Sequence, residues 1–340
     1  MRYPAPLQPG HLIAVTAPSS GVADDVRPRL DFCVADLRNR GYEVRVGACM
    51  DGATIVSAPA ADRAAELTAM LLDPQVRAVV PPWGGELAID LLPLLDVAAL
   101  AAAEPTWLVG YSDVSTVLTP LTLLTGIGTL HSPNLMDTPY RVPEPLVHWL
   151  DAARTAAGGT IRQGSASHRQ EKWADIRADP EVREMALTVP TRWQALDGST
   201  EVRFAGRLVG GCLETMAMLP GTPYGDIDAF ADREAPDGLV VYLEVAEADA
   251  AWTSRLLHHL RYAGWFERAT GVLIGRTPGG ANHGFSQPDA LHHALDGLPV
   301  PVLYDVDIGH VPPQLALVNG ASAVVELHAD GGGTLVQTLD

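Results

Sequence analysis

Residues 107–125, WLVGYSDVSTVLTPLTLLT, decide the fold class. The apolar run WLV ends at Gly110, and an apolar segment with helical spacing begins near Val114. The chain between them reads GYSD, which contains Ser112. This pattern predicts a strand that turns directly into a helix, with a serine on the turn.

The same alternation of strand and helix extends back to the N-terminus. Helical spacing and short apolar runs predict strands at 12–17, 42–46, 76–80 and 106–109, and helices at 28–40, 60–72 and 86–95. Asp62 is the predicted N-cap of the second helix. Strands that alternate with helices of about 10–15 residues form a parallel sheet covered by helices, so the predicted fold class is α/β.

Three loops follow strands of this predicted sheet, at residues 18–21, 83–85 and 110–113. In open α/β sheets the ligand crevice lies beyond the carboxyl ends of the strands. We therefore expect the three loops to meet at one edge of the sheet and to form a site there.

The pattern changes in the second half of the chain. Residues 158–201 are polar and include Trp173 and Trp193, which predicts a crossing with long loops. Further strands are predicted at 239–243, 271–274, 302–306 and 315–318, and a helix at 253–263. The predicted domains are therefore an N-terminal α/β domain that contains Ser112 (1–160), an interdomain loop region (161–205) and a C-terminal domain (206–340).

Composition restricts the classes of function. The 340 residues carry 41 acidic and 23 basic side chains, a formal net charge of −18, which disfavours nucleic-acid and anionic membrane partners. Prolines and glycines interrupt the uncharged stretch 114–136, so we expect no membrane span. The N-terminus lacks a signal-peptide pattern, and three cysteines without CxxC spacing are typical of a reduced cytoplasm. We expect a soluble cytoplasmic protein.

Ser112 is the first candidate catalytic residue. A serine at the start of a helix lies among free backbone N–H groups, which favour a developing oxyanion. The GxSxG motif of hydrolases is only half matched, because Val114 stands where the second glycine would be. The alternative is that Ser112 is only a helix N-cap.

Gly84 and Gly85 form a second candidate element, within Trp83-Gly84-Gly85-Glu86. A glycine pair lets the backbone approach a ligand closely. An amide from this loop, together with that of Asp113, would supply the two donors of an oxyanion hole. The alternative is an ordinary tight turn.

His310 and Glu244 complete the set of candidates. Each follows or closes an apolar strand, so His310 could act as general base and Glu244 could orient its imidazole. On sequence alone, Glu247 or Asp249 would serve as the acid equally well. No metal-ligand spacing occurs, and GxGxxG is absent after the first strand, so neither a metal nor an organic cofactor is expected.

These motifs together resemble the LD-carboxypeptidase family, and most closely its branch of microcin C self-immunity peptidases. The resemblance covers nearly the whole chain and is carried by the blocks GHLIAVTAPSSGV, WLVGYSDVSTVLTPLTLLTGIGTLHSPNL, GRLVGGCLETMAMLPGTPY, GLVVYLEVAEA and PVLYDVDIGHVPPQLALVNGA. It implies Ser112 as nucleophile, Glu244 as acid and His310 as base, with the amides of Gly85 and Asp113 as the oxyanion hole.

The resemblance also implies a fold and an assembly. It implies an N-terminal flavodoxin-like or Rossmann-like parallel-sheet domain, a second, smaller β-rich C-terminal domain, and a homodimer. The serine would then lie on one domain and its two partners on the other, with the site in the crevice between them.

Two stretches depart from the murein-recycling members of the family: AEADAAWTSRLL after Glu244, and PPWGGELAIDLL in place of a GGYG-type loop. Trp173 resembles a tryptophan that the immunity peptidases use to stack on a nucleobase, although a structural role is the alternative. Gly84, Glu86 and Trp173 are therefore the predicted substrate-binding residues. Arg255, Arg276 and Lys172 are candidates for gripping a substrate carboxylate, and nothing in the sequence selects one.

The predicted substrate is a small peptide or a peptidyl or aminoacyl nucleotide like microcin C. The alternative within the family is a murein tetrapeptide, cut in cell-wall recycling. The alternative from another class is a non-catalytic module that binds a nucleotide or peptide in the same crevice.

Overall fold

The structure is a computed structural model that describes residues 1–340. The strands are β1 (Leu12–Val15), β2 (Glu43–Val46), β3 (Val76–Val79), β4 (Trp107–Gly110), β5 (Thr129–His131), β6 (Thr160–Gly164), β7 (His168–Gln170), β8 (Leu187–Pro190), β9 (Gln194–Ala195), β10 (Val202–Cys212), β11 (Leu239–Glu244), β12 (Ala269–Gly275), β13 (Val302–Val306), β14 (Leu317–Asn319), β15 (Ser322–Leu327) and β16 (Gly333–Thr338). The α-helices are α1 (Arg27–Asn39), α2 (Ala60–Leu72), α3 (Val97–Ala102), α4 (Ser115–Thr125), α5 (Trp149–Ala152), α6 (Leu213–Met216), α7 (Ile227–Glu234), α8 (Ala250–Tyr262) and α9 (Gln287–Leu295).

The first sheet has six strands in the order β2-β1-β3-β4-β5-β14. The five strands from the N-terminal half are parallel, and β14 is antiparallel to β5 at the edge. The order 2-1-3-4-5 is that of a flavodoxin-like sheet. The predicted α/β class and its flavodoxin-like parallel sheet are confirmed.

Apolar side chains explain why these segments pack as they do. All four residues of β4 are buried, as expected for a central strand covered on both faces. Helix α2 places Ala64, Leu67 and Leu71 on one face at helical spacing, and all three are buried in a core shared with Leu108 of β4.

The second sheet has eight strands in the order β6-β16-β15-β10-β11-β12-β13-β9. Its centre, β10 to β13, is parallel, and antiparallel strands flank the centre on both sides. Every residue of β11 is buried. The sheet has more strands than the first because β6 and β9, which precede residue 206, join it.

Several predicted elements differ in detail. Asp62 is not the N-cap of α2: Pro59 takes that position, and Asp62 lies in the first turn, where a carboxylate suits the helix dipole. The helix predicted at 86–95 is a 3-10 helix (Ala88–Leu94) that contains Pro93. The polar stretch 158–201 holds four strands rather than loops alone, and the strand predicted at 315–318 begins at Leu317.

A buried ion pair holds the loop that follows β13. Arg276 Nη1 lies 2.5 Å from Asp307 Oδ1, and both side chains are almost fully buried. Trp193 Nε1 donates to the same carboxylate at 2.7 Å, and Arg276 Nη2 donates to the carbonyl of Val311 at 2.9 Å. Arg276 therefore binds both ends of the segment that carries His310.

We expect Arg276→Met to lower the free energy of unfolding by about 3–5 kcal/mol, because it leaves the charge of the Asp307 carboxylate buried without a countercharge. Urea denaturation of the purified protein measures this. Arg268→Met is the matched control, since Arg268 pairs with Asp232 on the surface, where such a pair contributes about 1 kcal/mol or less. Equal losses in the two variants would contradict the assigned role of Arg276.

Candidate active site

Ser112 lies on a sharp turn between β4 and α4. Its φ is +63°, a left-handed conformation that non-glycine residues adopt at a cost and that recurs at functional sites. Ser112 is the first residue of a 3-10 turn (Ser112–Val114) whose N-cap position is Tyr111, and α4 begins directly after this turn. Neither of these elements has a side-chain cap. The interpretation of Ser112 as a helix N-cap is therefore wrong.

His310 lies between Ser112 and Glu244. Its Nε2 is 3.1 Å from Ser112 Oγ, and its Nδ1 is 2.7 Å from Glu244 Oε2. The Glu244 side chain has no exposed surface, whereas that of His310 is 21% exposed, so a ligand reaches the imidazole but not the carboxylate. The order hydroxyl, imidazole, carboxylate is that of a catalytic triad.

The other two acids named from the sequence lie elsewhere. Asp249 accepts the Trp252 amide at 2.8 Å and caps α8. Glu247 is exposed, and its carboxylate makes no hydrogen bond to His310. Of the three acids, the structure brings only Glu244 to the imidazole.

The charges of His310 and Glu244 stabilise each other. Burial opposes protonation of His310, but the charge of Glu244 and its hydrogen bond outweigh burial and raise the pKa of His310. Burial likewise opposes ionisation of Glu244, but the charge and hydrogen bond of His310 lower the pKa of that carboxyl. The carboxylate thus favours the imidazolium that forms when His310 takes a proton.

Two glycines let the backbone approach these side chains. A Cβ on Gly84 would lie 2.8 Å from Ser112 Oγ, and a Cβ on Gly309, whose φ is +85°, would lie 2.2 Å from Glu244 Oε2. Contacts that short do not occur, so both positions need glycine. The loop with Gly84 therefore lies directly against the serine.

The side chain of Asp113 connects the three loops predicted to meet at the sheet edge. Its Oδ2 accepts the Ser19 hydroxyl at 2.5 Å and the Ala88 amide at 2.8 Å. Ser19 Oγ in turn accepts the Leu87 amide at 3.2 Å. This network joins the serine turn to the loop at residues 83–88, and the three loops do meet.

A cavity of about 210 Å³ opens beside Ser112 and His310. Gly85, Glu86 and Asp113 also line it. The amide of Gly85 has no acceptor within the chain. A substrate carbonyl bound beside the serine would therefore find an N–H group without a competing acceptor.

Trp173 lies next to the triad but does not line the cavity. Its indole Nε1 donates to the carbonyl of His310 at 3.2 Å, and its ring lies 5.9 Å from that of Tyr140. The side chain is 40% exposed, so one part of it supports the histidine loop and another part faces solvent.

Cys212 and Glu214 are two of the polar cavity-lining residues that the sequence did not single out. Glu214 Oε1 accepts three backbone amides, those of Ala246, Glu247 and Ala248, at 2.9–3.0 Å. Glu214 therefore shapes the loop after Glu244. Only the position of Cys212 and Glu214 within the block GRLVGGCLETMAML could have suggested them.

The candidate cations for a substrate carboxylate do not line the cavity. Arg276 binds the Asp307 loop, as described above. Arg255 lies over the ring of Trp252, and Lys172 is exposed.

None of the helices combines the length and the apolar character that a membrane span requires. The structure also contains no group of three or more side chains placed to bind a metal ion.

The α/β fold and the Ser–His–Glu geometry define the class of protein as a serine hydrolase. Family domains described as the LD-carboxypeptidase N-terminal domain and the LD-carboxypeptidase C-terminal domain match residues 13–132 and 205–325. A Vibrio cholerae protein with a carboxypeptidase designation is 28% identical over 334 residues, covering 96% of this chain and 95% of that protein.

Two further comparisons involve the microcin C7 self-immunity protein MccF. The Escherichia coli protein is 25% identical over 334 residues, covering 95% of this chain and 92% of its own. The structure of MccF in complex with aspartyl sulfamoyl adenosine has a TM-score of 0.79 at 21% identity, covering 98% of both chains. The chain belongs to the LD-carboxypeptidase family and is a serine peptidase.

We expect Gly84→Ala to lower the rate of labelling by a fluorophosphonate, a probe for activated serines, by about 100-fold, because the added methyl displaces Ser112. Gly280→Ala is the matched control, because a Cβ there meets nothing within 4 Å. Gel-based labelling of the folded variants measures both rates. If Gly84→Ala were labelled at the wild-type rate, the close approach of Gly84 to Ser112 would be contradicted.

We expect labelling to fall at acidic pH, because a protonated His310 cannot accept the serine proton. The midpoint should lie above the ordinary histidine pKa of about 6.5, since Glu244 raises the pKa of His310. Glu244→Gln should move the midpoint to lower pH and reduce the maximal rate on the order of 10⁴-fold. Glu267→Gln, a change at an exposed carboxylate, is the control and should leave the pH dependence of labelling unchanged. If Glu244→Gln also left the midpoint at the wild-type pH, Glu244 would not control the protonation of His310.

Proposed function

We propose that Ser112, His310 and Glu244 act as the catalytic triad of this serine peptidase, and that the Gly85 and Asp113 amides form its oxyanion hole. The observation that carries the proposal is the continuous chain of hydrogen bonds from Ser112 Oγ through His310 to Glu244, 3.1 and 2.7 Å long. The strained φ of Ser112 and the free amide of Gly85 support it.

The proposed reaction is acyl transfer to the serine. His310 Nε2 takes the proton of Ser112 as Oγ bonds to the substrate carbonyl carbon, and the two amides bind the resulting oxyanion. The C–N bond then breaks, and His310 gives the proton to the leaving nitrogen. Water next attacks the acyl-enzyme and transfers its proton to His310, which returns it to Ser112.

The proposed substrate is the amide bond of a small peptide or of a peptidyl or aminoacyl nucleotide. The binding of aspartyl sulfamoyl adenosine by MccF supports the nucleotide class. The half-exposed indole of Trp173 beside His310 supports it also, since an indole face suits a nucleobase. Gly84 and Glu86 would contact the same substrate. A murein tetrapeptide with a carboxy-terminal D-amino acid is the second candidate, favoured by the family itself.

We also propose a cytoplasmic homodimer divided into domains at 1–160, 161–205 and 206–340. The three cysteines are free and buried, in keeping with a reducing compartment. The two matched family domains, 13–132 and 205–325, fall on either side of the proposed crossing region.

We expect purified protein to hydrolyse alanyl sulfamoyl adenosine faster than a murein tetrapeptide, with products identified by mass spectrometry. Ser112→Ala should abolish both reactions and all fluorophosphonate labelling while remaining folded. A faster reaction with the tetrapeptide would reverse the order of the two substrate classes. No labelling of folded wild type would reject Ser112 as the nucleophile.

A further inference from the structure

His131 is a buried imidazole that the proposed reaction does not use. It is the last residue of β5 and lies opposite Gly110, at the end of the serine strand β4. The residue has no exposed surface, and neither of its ring nitrogens has a hydrogen-bond partner in the chain. A neutral imidazole carries one N–H donor and one acceptor, and burying both without partners is costly. The two nitrogens therefore call for a structural reason.

Aromatic contacts place His131 close to the triad. Its ring lies 6.3 Å from that of Tyr111, whose own ring lies 5.0 Å from that of His310. The His131 ring also lies 5.2 Å from that of Tyr242 in β11. Tyr242 precedes Glu244 by two residues, and alternate residues of a strand project from the same face. His131 therefore packs on the face of β11 from which the Glu244 side chain projects.

The Glu244 carboxylate has one oxygen without a donor. Its Oε2 lies 2.7 Å from His310 Nδ1, whereas Oε1 is buried and has no partner in the chain. The thiol of Cys212, on the neighbouring strand β10, donates to Glu214 Oε2 at 3.2 Å instead. A buried carboxylate oxygen is stabilised by a donor, and the His131 imidazole is a buried donor without an acceptor. The two unpaired groups are complementary.

His131 stays neutral while His310 titrates. Burial lowers the pKa of His131 to about 4, although the charge of Glu244 acts in the opposite direction. The pKa of His310, in contrast, is raised by Glu244. His131 thus keeps a single N–H group at every pH at which His310 changes its charge, so it serves as a fixed dipole and not as a second base.

We propose that His131 is a positioning residue for the triad, whose N–H group supplies the donor for Glu244 Oε1 through one internal water molecule. A water is required because the two groups make no direct hydrogen bond, and buried waters join unpaired polar groups in this way. The second contact fixes the plane of the carboxylate, so that Oε2 stays aligned with His310. This inference rests on the proposed function, because His131 acts only through Glu244.

The test measures the pH dependence of fluorophosphonate labelling in His131→Leu. An N–H group directed at Glu244 partly offsets the negative charge that acts on His310, so its removal should raise the pKa of His310. We expect the midpoint to move to higher pH by about half a unit and the maximal rate to fall about tenfold, since the carboxylate loses its orientation. Asp137 and Glu214, whose charges also raise the pKa of His310, are unchanged in this variant.

Three further variants separate this role from simple packing. His131→Asn and His131→Gln place an amide N–H group near the positions of the two ring nitrogens, so at least one of them should restore the wild-type midpoint. His148→Leu removes a partly buried imidazole that bonds to the Thr138 carbonyl at 2.9 Å, and it should leave the midpoint unchanged. The proposal is overturned by an unmoved midpoint in folded His131→Leu, by an equal shift in His148→Leu, or by failure of both amides to restore the midpoint.

A measurement on the wild-type protein does not depend on the folding of any variant. Isotope-edited NMR of protein labelled at its histidine nitrogens should show His131 as a neutral ring throughout the labelling pH range. Its N–H proton should exchange magnetisation with a bound water molecule. A charged His131 ring, or an N–H proton without a water contact, would overturn the role of His131 and leave the triad intact. Absence of all labelling in folded wild type would instead reject the triad itself.

Discussion

The hydrogen bond between His310 and Ser112 joins two sheets that would otherwise carry incomplete sites. Ser112 follows β4 of the first sheet, whereas Glu244 closes β11 and His310 follows β13 of the second. The chain itself supplies the connection. Seven residues after His310 it enters β14, which pairs antiparallel with β5, the neighbour of the serine strand. The strand that follows the histidine is therefore part of the serine's own sheet.

Close packing at this junction depends on the absence of side chains as much as on their presence. Gly309 lets the loop after β13 lie against the Glu244 carboxylate, and Gly84 lets the loop after β3 lie against Ser112. The Arg276–Asp307 pair, which does not line the cavity, also holds the histidine loop. Gly84 and Gly309, which the sequence alone would allow to be ordinary turn glycines, are thus steric requirements of the Ser112–His310–Glu244 arrangement.

Local pattern was sufficient to predict β4, its turn and α4, because an apolar run followed by helical spacing needs no distant partner. The meeting of three loops at the sheet edge followed from the parallel topology alone. The pairing of β14 with the first sheet could not be predicted, since it joins residues far apart in sequence. Similarly, Arg276 was named as a possible ligand cation, and only its burial beside Asp307 reveals a structural role.

The acidic residues show why residue type alone does not give function. Glu244 is fully buried and bonded to an imidazole, so its charge serves His310. The carboxylates of Asp113 and Glu214 accept hydrogen bonds from backbone amides and so stabilise the neighbouring loops. Glu86 and Glu247 line the cavity, are exposed, and accept no hydrogen bond from the chain. The same functional group thus pairs with an imidazole, binds backbone amides, or lines the cavity without a partner. Burial and the available hydrogen-bond donors distinguish these five carboxylates.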